Sequence, residues 1–277
     1  ERVEAEAGKT VVLTIDRRIQ HVVDTVLEET MVRTGAQKAY AVVMDVETGD
    51  VLALGNRPTQ NPNDTRLLDL TLFKNHAAMD AIEPGSVFKP FVAAAALEED
   101  LVRPETMVDC EGGEWRVGRK TIHDDHPHGL VTVSEVIKYS SNIGAAKLAF
   151  DLGPEKTLGY LRDFGFARHT GLGFPGETRG VMRSAGRIKP IELATTSYGH
   201  GVTANAIQLA SAVAALGNGG LRMQPRLVAA LHDEDGAVLR EMPPEGDRQV
   251  VSERVARHVV VMMESVTDVG GTGTRAR

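Results

Sequence analysis

Apolar residues at Ile19, Val22, Val23, Val26 and Leu27 fall on one helical face, and Asp16 stands where an N-cap belongs. The pattern predicts an amphipathic helix over Asp16 to Arg33. Two β-branched runs, Ala39 to Val46 and Val51 to Gly55, flank Glu47-Thr48-Gly49-Asp50 and predict a hairpin. Asn56 to Thr65 is rich in Asn and Pro and reads as a loop. After Glu83-Pro84-Gly85 comes an alanine-rich apolar run, Phe91 to Leu97, which predicts a buried helix starting near Ser86. Residues Arg103 to Gly129 are polar, Gly-containing and weakly periodic. Helical patterns then dominate from Thr132 to Leu216, broken at Gly153-Pro154, across Gly171 to Gly180 and across Gly199 to Asn205. Leu227 to His232 and Ala237 to Glu241 predict a second hairpin across Asp233-Glu234-Asp235-Gly236, and Ser252 opens a last helix running to about Val266. Helices enclosed between an early hairpin and late strands indicate an α+β fold, with the early hairpin pairing with strands from the C-terminal part.

Composition narrows the function classes. The net charge of −7 leaves no basic footprint for nucleic acid, and 4% aromatic residues leave few rings on which bases would stack. Cys110 is the sole cysteine, so no intramolecular disulfide can form. The longest apolar runs, Phe91 to Leu97 and Leu209 to Leu216, are too short to span a membrane and suit core helices. There are no internal repeats.

Chemistry concentrates in two places. Ser86 and Lys89 lie three residues apart at the start of the predicted buried helix, so they share a face and come within hydrogen-bond reach. A serine hydroxyl becomes a nucleophile when a base takes its proton, and burial can depress a lysine pKa enough to make it that base. The helix N-terminus favours negative charge developing beside Ser86. The competing reading is a chance pairing of an N-terminal Ser with a solvated Lys. Farther on, Ser140 and Asn142 flank Ser141 on a short turn between two helical stretches. A hydroxyl there can relay a proton, and a carboxamide can both donate to and accept from a peptide-like substrate. An ordinary Ser/Asn helix cap fits the same residues.

Three other stretches carry less. His123-Asp124-Asp125-His126-Pro127-His128 holds zinc-type ligands, but without helical spacing it reads as a solvated loop rather than a metal site or substrate contact. Trp115, in Glu111-Gly112-Gly113-Glu114-Trp115, reads as loop packing. Gly199-His200-Gly201 reads as a structural turn.

Taken together, S-x-x-K at Ser86 to Lys89 followed by S-x-N at Ser140 to Asn142 resembles the opening of the penicillin-binding-protein transpeptidase signature, which closes with K-T-G. The resemblance extends along the chain. It takes in Thr14 to Gln20, the Val42 to Leu54 hairpin, Asn61-Pro62-Asn63, Phe164-Gly165-Phe166, Phe174-Pro175-Gly176-Glu177, Tyr198-Gly199-His200-Gly201, Gln208-Leu209-Ala210 and Asn218-Gly219-Gly220. Its form is most similar to class B, monofunctional enzymes of the cell-division type.

The resemblance implies one five-stranded antiparallel sheet flanked by helices, with an all-helical subdomain beside it, as in serine β-lactamases. It implies a peptidoglycan D,D-transpeptidase that cross-links stem peptides ending in D-Ala-D-Ala. Ser86 would be the nucleophile, Lys89 its base and Ser140 a proton relay. Asn142 would hold the substrate backbone and keep Lys89 in register. Ser86, Ser140 and Asn142 would contact the substrate, and penicillin and other β-lactams would acylate Ser86. No cofactor or metal is called for. Other cell-wall or division proteins are candidate partners, and nucleic acid is not. The expected location is the extracytoplasmic, periplasmic face of the bacterial inner membrane, reached through an anchor absent from this sequence.

One departure stands out. No Lys-Thr-Gly follows Asn142, and the nearest text is Gly271-Thr272-Gly273-Thr274. The economical reading makes residues 1–277 a transpeptidase domain that stops short of its third motif and last strands. The alternative is a degenerate motif. With Glu1 rather than Met at the start, the chain is expected to be a piece of a longer protein. Two rival functions follow from the same residues: a β-lactam-hydrolysing or β-lactam-sensing relative, and a non-catalytic division scaffold that retains the fold.

Overall fold

The computed structural model describes residues 8–61, 63–64 and 69–276. Glu1, Pro62 of the Asn61-Pro62-Asn63 landmark, Thr65 at the end of the expected loop, and Arg277 lie outside them. Strand β1 (Thr10–Leu13) leads into α1 (Arg17–Thr34). Asp16 caps that helix, accepting from the N–H groups of Arg18 and Ile19, and Gly35 ends it in the left-handed conformation. The hairpin follows as β2 (Ala39–Met44) and β3 (Val51–Arg57), turned by Asp45, which accepts from the N–H groups of Glu47 and Thr48. Helix α1 lies on β3 because Gly55 has no side chain. A Cβ there would sit 2.6 Å from both Leu27 and Val23.

Among the described residues, β2 and β3 pair as strands only with each other. This corrects the expectation that the early hairpin joins the C-terminal strands. The outer edge of β3 is closed instead by hydrogen bonds from other segments. The Leu54 N–H donates to Gln20 Oε1 (2.8 Å), the Asp16 N–H to the Leu52 carbonyl (2.9 Å), and the Val51 N–H to the Arg226 carbonyl (2.8 Å). The N-terminal segment that does pair with the C-terminal part is β1.

A short α2 (His76–Met79) precedes a 3₁₀ turn, Gly85–Phe88, which runs into α3 (Lys89–Glu98). The predicted buried helix is therefore present, with Ser86 in the tighter turn at its head. Residues Lys89 to Leu97 are all buried, because α3 is packed by α5 and α8, introduced below. The weakly periodic stretch folds as short antiparallel strands: β4 (Met107–Asp109), β5 (Glu114–Val117) and β6 (Lys120–His123), followed by β7 (Leu130–Thr132). β4 pairs with β7 and β5 with β6. Strands of three or four residues are too short to display a clear period of two, which is why the sequence pattern missed them.

Next come α4 (Val133–Lys138), opened by a Thr132/Glu135 capping box, and α5 (Asn142–Asp163), kinked where Gly153 adopts positive φ ahead of Pro154. Then follow α6 (Pro190–Ser197) and α7 (Ala206–Gly217), the latter opened by an Asn205/Gln208 capping box. Strands β8 (Leu221–Met223), β9 (Val228–His232), β10 (Val238–Glu241) and β11 (Gly246–Gln249) precede α8 (Glu253–Glu264), capped by Ser252 as expected. β9 is the middle strand of a β1-β9-β10 antiparallel sheet, with Thr10 opposite His232 and Val12 opposite Ala230, and β8 pairs with β11. The α+β class holds, as several small antiparallel sheets around a helical core.

That core sits directly under the Ser86 turn. Phe88, Phe91, Phe164 and Phe166 are fully buried and stack at ring-centroid distances of 4.4–5.8 Å. Phe91→Ala is expected to lower stability by about 3–5 kcal/mol through lost burial and an unfilled cavity. Denaturant unfolding checks this, and a change under 1 kcal/mol would mean the cluster does not support the turn.

Candidate active site

The head of α3 and the turn between α4 and α5 meet at Lys89. Its side chain is buried, with the residue only 2% exposed, whereas Ser86 one turn earlier is exposed. Lys89 Nζ donates to Ser86 Oγ (2.8 Å), to the Ser140 carbonyl (2.6 Å) and to Ser140 Oγ (2.8 Å). All three donors of the ammonium are thus paired, as a buried cation requires. Burial pulls the amine down from lysine's ordinary 10.5 to about 8, against the opposing influence of Asp124 and Asp125. An amine near 8 is part neutral around neutral pH, and its lone pair then faces the Ser86 proton.

Ser140 reaches Lys89 with two atoms because its backbone is left-handed, at φ 58°. Few residues with a Cβ adopt that conformation. Ser141 is the N-cap of α5, accepting from the Gly144 N–H (2.9 Å), and Asn142 is the first residue of the helix. Ser141 thus supplies the helix cap, while Ser140 beside it meets Lys89. Asn142 departs from expectation: its amide donates to the His123 carbonyl (2.8 Å), while the three hydrogen bonds of Lys89 Nζ all go to Ser86 and Ser140.

The Ser86 turn is braced from its other side. Glu83 accepts from the Gly201 N–H (2.8 Å) and lies 3.0 Å from His200 Nδ1, bonds that hold its carboxyl below the usual range. The Gly85 N–H donates to the Gly199 carbonyl (3.1 Å). At Gly199, φ is 79°, and a Cβ would fall 2.2 Å from the Gly85 carbonyl oxygen. The Gly199-His200-Gly201 turn is structural, and what it supports is the Ser86 turn.

A cleft of about 290 Å³ opens at Ser86, Lys89 and Ser140, walled by Val213, Leu216 and Met263. Thr272 also lines it, but Gly271 to Thr274 is not a strand. The Gly271 N–H donates to the Asp268 carbonyl and the Gly273 N–H to the Val266 carbonyl, each at 2.9 Å, which makes successive turns.

These distances bring Ser86, Lys89 and Ser140 together at one cleft. The sequence profile of the penicillin binding protein transpeptidase domain matches residues 39–277. The chain belongs to that family. Within it, the relatives place it among the class B transpeptidases. It is 35% identical over 267 residues to the probable peptidoglycan D,D-transpeptidase PenA of Neisseria gonorrhoeae, covering 96% of this chain and 44% of that protein. It is also 35% identical over 269 residues to penicillin-binding protein PbpB of Mycobacterium tuberculosis, covering 96% and 39%. The chain thus spans less than half the length of these relatives. Among solved structures, penicillin binding protein 3 of M. tuberculosis complexed with aztreonam superposes with a TM-score of 0.90 at 33% identity, covering all of this chain and 63% of that one. The transpeptidase domain of Burkholderia pseudomallei penicillin-binding protein 3 gives 0.83 at 34%, covering 96% and 73%.

Sequence reasoning missed the contacts of Asp124 and Glu83 with the turns that carry Ser140 and Ser86. Asp124 was read within a solvated loop, yet it accepts from the Ser141 hydroxyl (2.6 Å) and from the N–H groups of Asn142 (2.6 Å) and Ile143 (3.0 Å). No local signal reveals a contact made across 17 to 19 residues. Among the described residues, no group of three or more His, Cys, Asp or Glu side chains is gathered to hold a metal ion. Trp115 packs edge-on against Phe150, with Lys147 over its ring, which matches the packing role.

Two measurements check this geometry. NMR titration of ¹³C-labelled lysine ε-carbons should show one resonance titrating near pH 8 that disappears in Lys89→Met. All lysines titrating near their ordinary value would refute the buried pairing. Gly199→Ala should lower stability by roughly 2–4 kcal/mol, from backbone overlap plus the left-handed φ. An unchanged melting temperature would separate this turn from Gly85.

Proposed function

We propose that this chain carries the catalytic centre of a peptidoglycan D,D-transpeptidase that works through an acyl-enzyme at Ser86. The observation that supports this most directly is Lys89 Nζ lying 2.8 Å from both Ser86 Oγ and Ser140 Oγ. One amine can then take a proton from the nucleophile and pass one to the relay hydroxyl. In the first half-reaction, neutral Lys89 removes the Ser86 proton as Oγ attacks the carbonyl between the two terminal D-alanines. The Ser86 backbone N–H, at the head of a 3₁₀ turn, supplies one donor to the oxyanion. Collapse breaks the C–N bond, and Ser140 passes the proton held by Lys89 to the departing D-alanine nitrogen. In the second half-reaction, the amine of a neighbouring stem peptide attacks the ester and loses a proton to the same relay. Ser86 leaves with its hydroxyl restored, and the cross-link is made.

Asn142, whose amide donates to the His123 carbonyl, is assigned to the substrate backbone. β-Lactams imitate the D-Ala-D-Ala carbonyl and acylate the same oxygen. The chemistry uses no cofactor. Donor and acceptor stem peptides are the substrates, and other cell-wall or division proteins are the proposed partners. The site belongs on the extracytoplasmic face of the inner membrane, where its substrate lies. Among the described residues no helix is long and apolar enough to cross a membrane, so attachment is assigned to an anchor elsewhere in the protein. Residues 1–277 are accordingly assigned to its transpeptidase domain.

The test is the intact mass of the full-length protein with and without penicillin. One adduct per molecule is expected, lost in Ser86→Ala, and its absence from the wild type would refute the acyl-enzyme. Lys89→Met should slow acylation by about 10²–10⁴-fold. The pH dependence follows from the base having to be neutral. Acylation should rise with pH as Lys89 loses its proton, with a midpoint near 8. A midpoint near lysine's ordinary 10.5 would assign the base elsewhere.

A further inference from the structure

Asp124 is the residue whose surroundings ask most of it. One carboxylate oxygen accepts from the N–H groups of Asn142 (2.6 Å) and Ile143 (3.0 Å). These belong to the first turn of α5, where a helix leaves its N–H groups without internal partners. The other oxygen accepts the Ser141 hydroxyl proton at 2.6 Å. With that proton committed, the thiol of buried Cys110 is left as donor in its 3.2 Å contact with Ser141 Oγ. Burial raises the Cys110 pKa, which keeps the thiol protonated for this role.

The turn so held contains the strained residue of the site. Ser140, at φ 58°, turns both its carbonyl and its hydroxyl toward Lys89 Nζ. Such a conformation persists only where flanking contacts over-determine it. On the preceding side, the Ser140 N–H donates to the Ile137 carbonyl (3.1 Å) and the Ser141 N–H to the Val136 carbonyl (2.9 Å). On the following side, Asp124 ties Ser141, Asn142 and Ile143 at once.

We propose that Asp124 is a positioning residue: it clamps the start of α5 and so holds Ser140 in the left-handed conformation that aims two oxygens at Lys89. The role presupposes Ser86 as nucleophile and Lys89 as base, and Asp124 touches neither reacting atom. Its charge gives a second, separable effect. The Lys89 amine meets the Ser86 hydroxyl on α3's leading turn and the Ser140 hydroxyl and carbonyl on the α4–α5 turn, and the charges of Asp124 and Asp125 on the loop act on it without contact. Tyr198, after α6, stands within the field of Asp124. The two carboxylates favour protonated Lys89 against the effect of burial, so removing one lets the amine lose its proton at lower pH.

Asp124→Asn keeps the shape, removes the charge, and replaces one acceptor with an amide N–H₂ that cannot take the Ser141 proton. In the full-length protein, the rate of acylation by a fluorescent penicillin should fall about ten- to a hundredfold at the plateau. The acid limb of its pH profile should move to lower pH. Ser141→Ala, which keeps the charge, should slow acylation without moving the limb, and stands in if Asp124→Asn fails to fold. Wild-type rates in both variants would overturn the clamp while leaving the Ser86 adduct intact. A slower Asp124→Asn with a lowered melting temperature and an unmoved limb would reduce Asp124 to fold support and overturn it too. No adduct on the wild type would overturn both the clamp and the nucleophile assignment beneath it.

Discussion

A lysine amine leaves water at a high cost unless the protein supplies hydrogen bonds in water's place. At Lys89 the replacements come from Ser86 on its own helix turn and from Ser140, 51 residues beyond the lysine, on the turn between α4 and α5. The arrangement of the centre depends on that requirement. If the amine is buried, Ser140 must face it, and for Ser140 to face it with both oxygens its backbone must be left-handed. The depressed pKa is a consequence of the same burial, so structural need and the proposed catalytic use coincide in one side chain.

Rigidity around this contact is built from small pieces. Beneath it, four phenylalanines close the space between α3 and the end of α5. Beside it, the backbone of Gly199 approaches Gly85 so closely that no side chain fits, and Glu83 ties the same turn through His200 and Gly201. Across from it, Asp124 pins the start of α5. Glu83, Gly199 and Asp124 each also bond or crowd backbone directly. A nucleophile and its base must stay within hydrogen-bond reach of each other, and backbone braces hold such distances with little rotamer freedom to lose.

The likeness to class B penicillin-binding proteins rests on a third of the residues being identical over nearly the whole chain. In this structure the shared landmarks do unequal work. Gln208, in Gln208-Leu209-Ala210, donates to the carbonyls of Arg168 and Arg179 and thereby fastens the loop after α5 to α7. Asn205 donates to the Thr178 carbonyl to the same end. These residues organise the scaffold behind the cleft, whereas Ser86, Lys89 and Ser140 form its floor.

The sequence by itself determined the long elements, the Asp16 and Ser252 caps, both hairpin turns, the break at Gly153-Pro154 and the Ser86–Lys89 pair. All of these are set by neighbours a few residues away, where periodicity and capping chemistry act. Only the tertiary structure decided that Ser140 rather than Asn142 engages Lys89, that β1 instead of the β2–β3 hairpin pairs with β9, and that Asp124 bonds the start of α5. Each of these depends on groups far apart in the chain meeting in space. The physical reason is that a hydrogen bond forms wherever a buried donor needs an acceptor. Which acceptor arrives is settled by how helices and loops pack, and no local pattern records it.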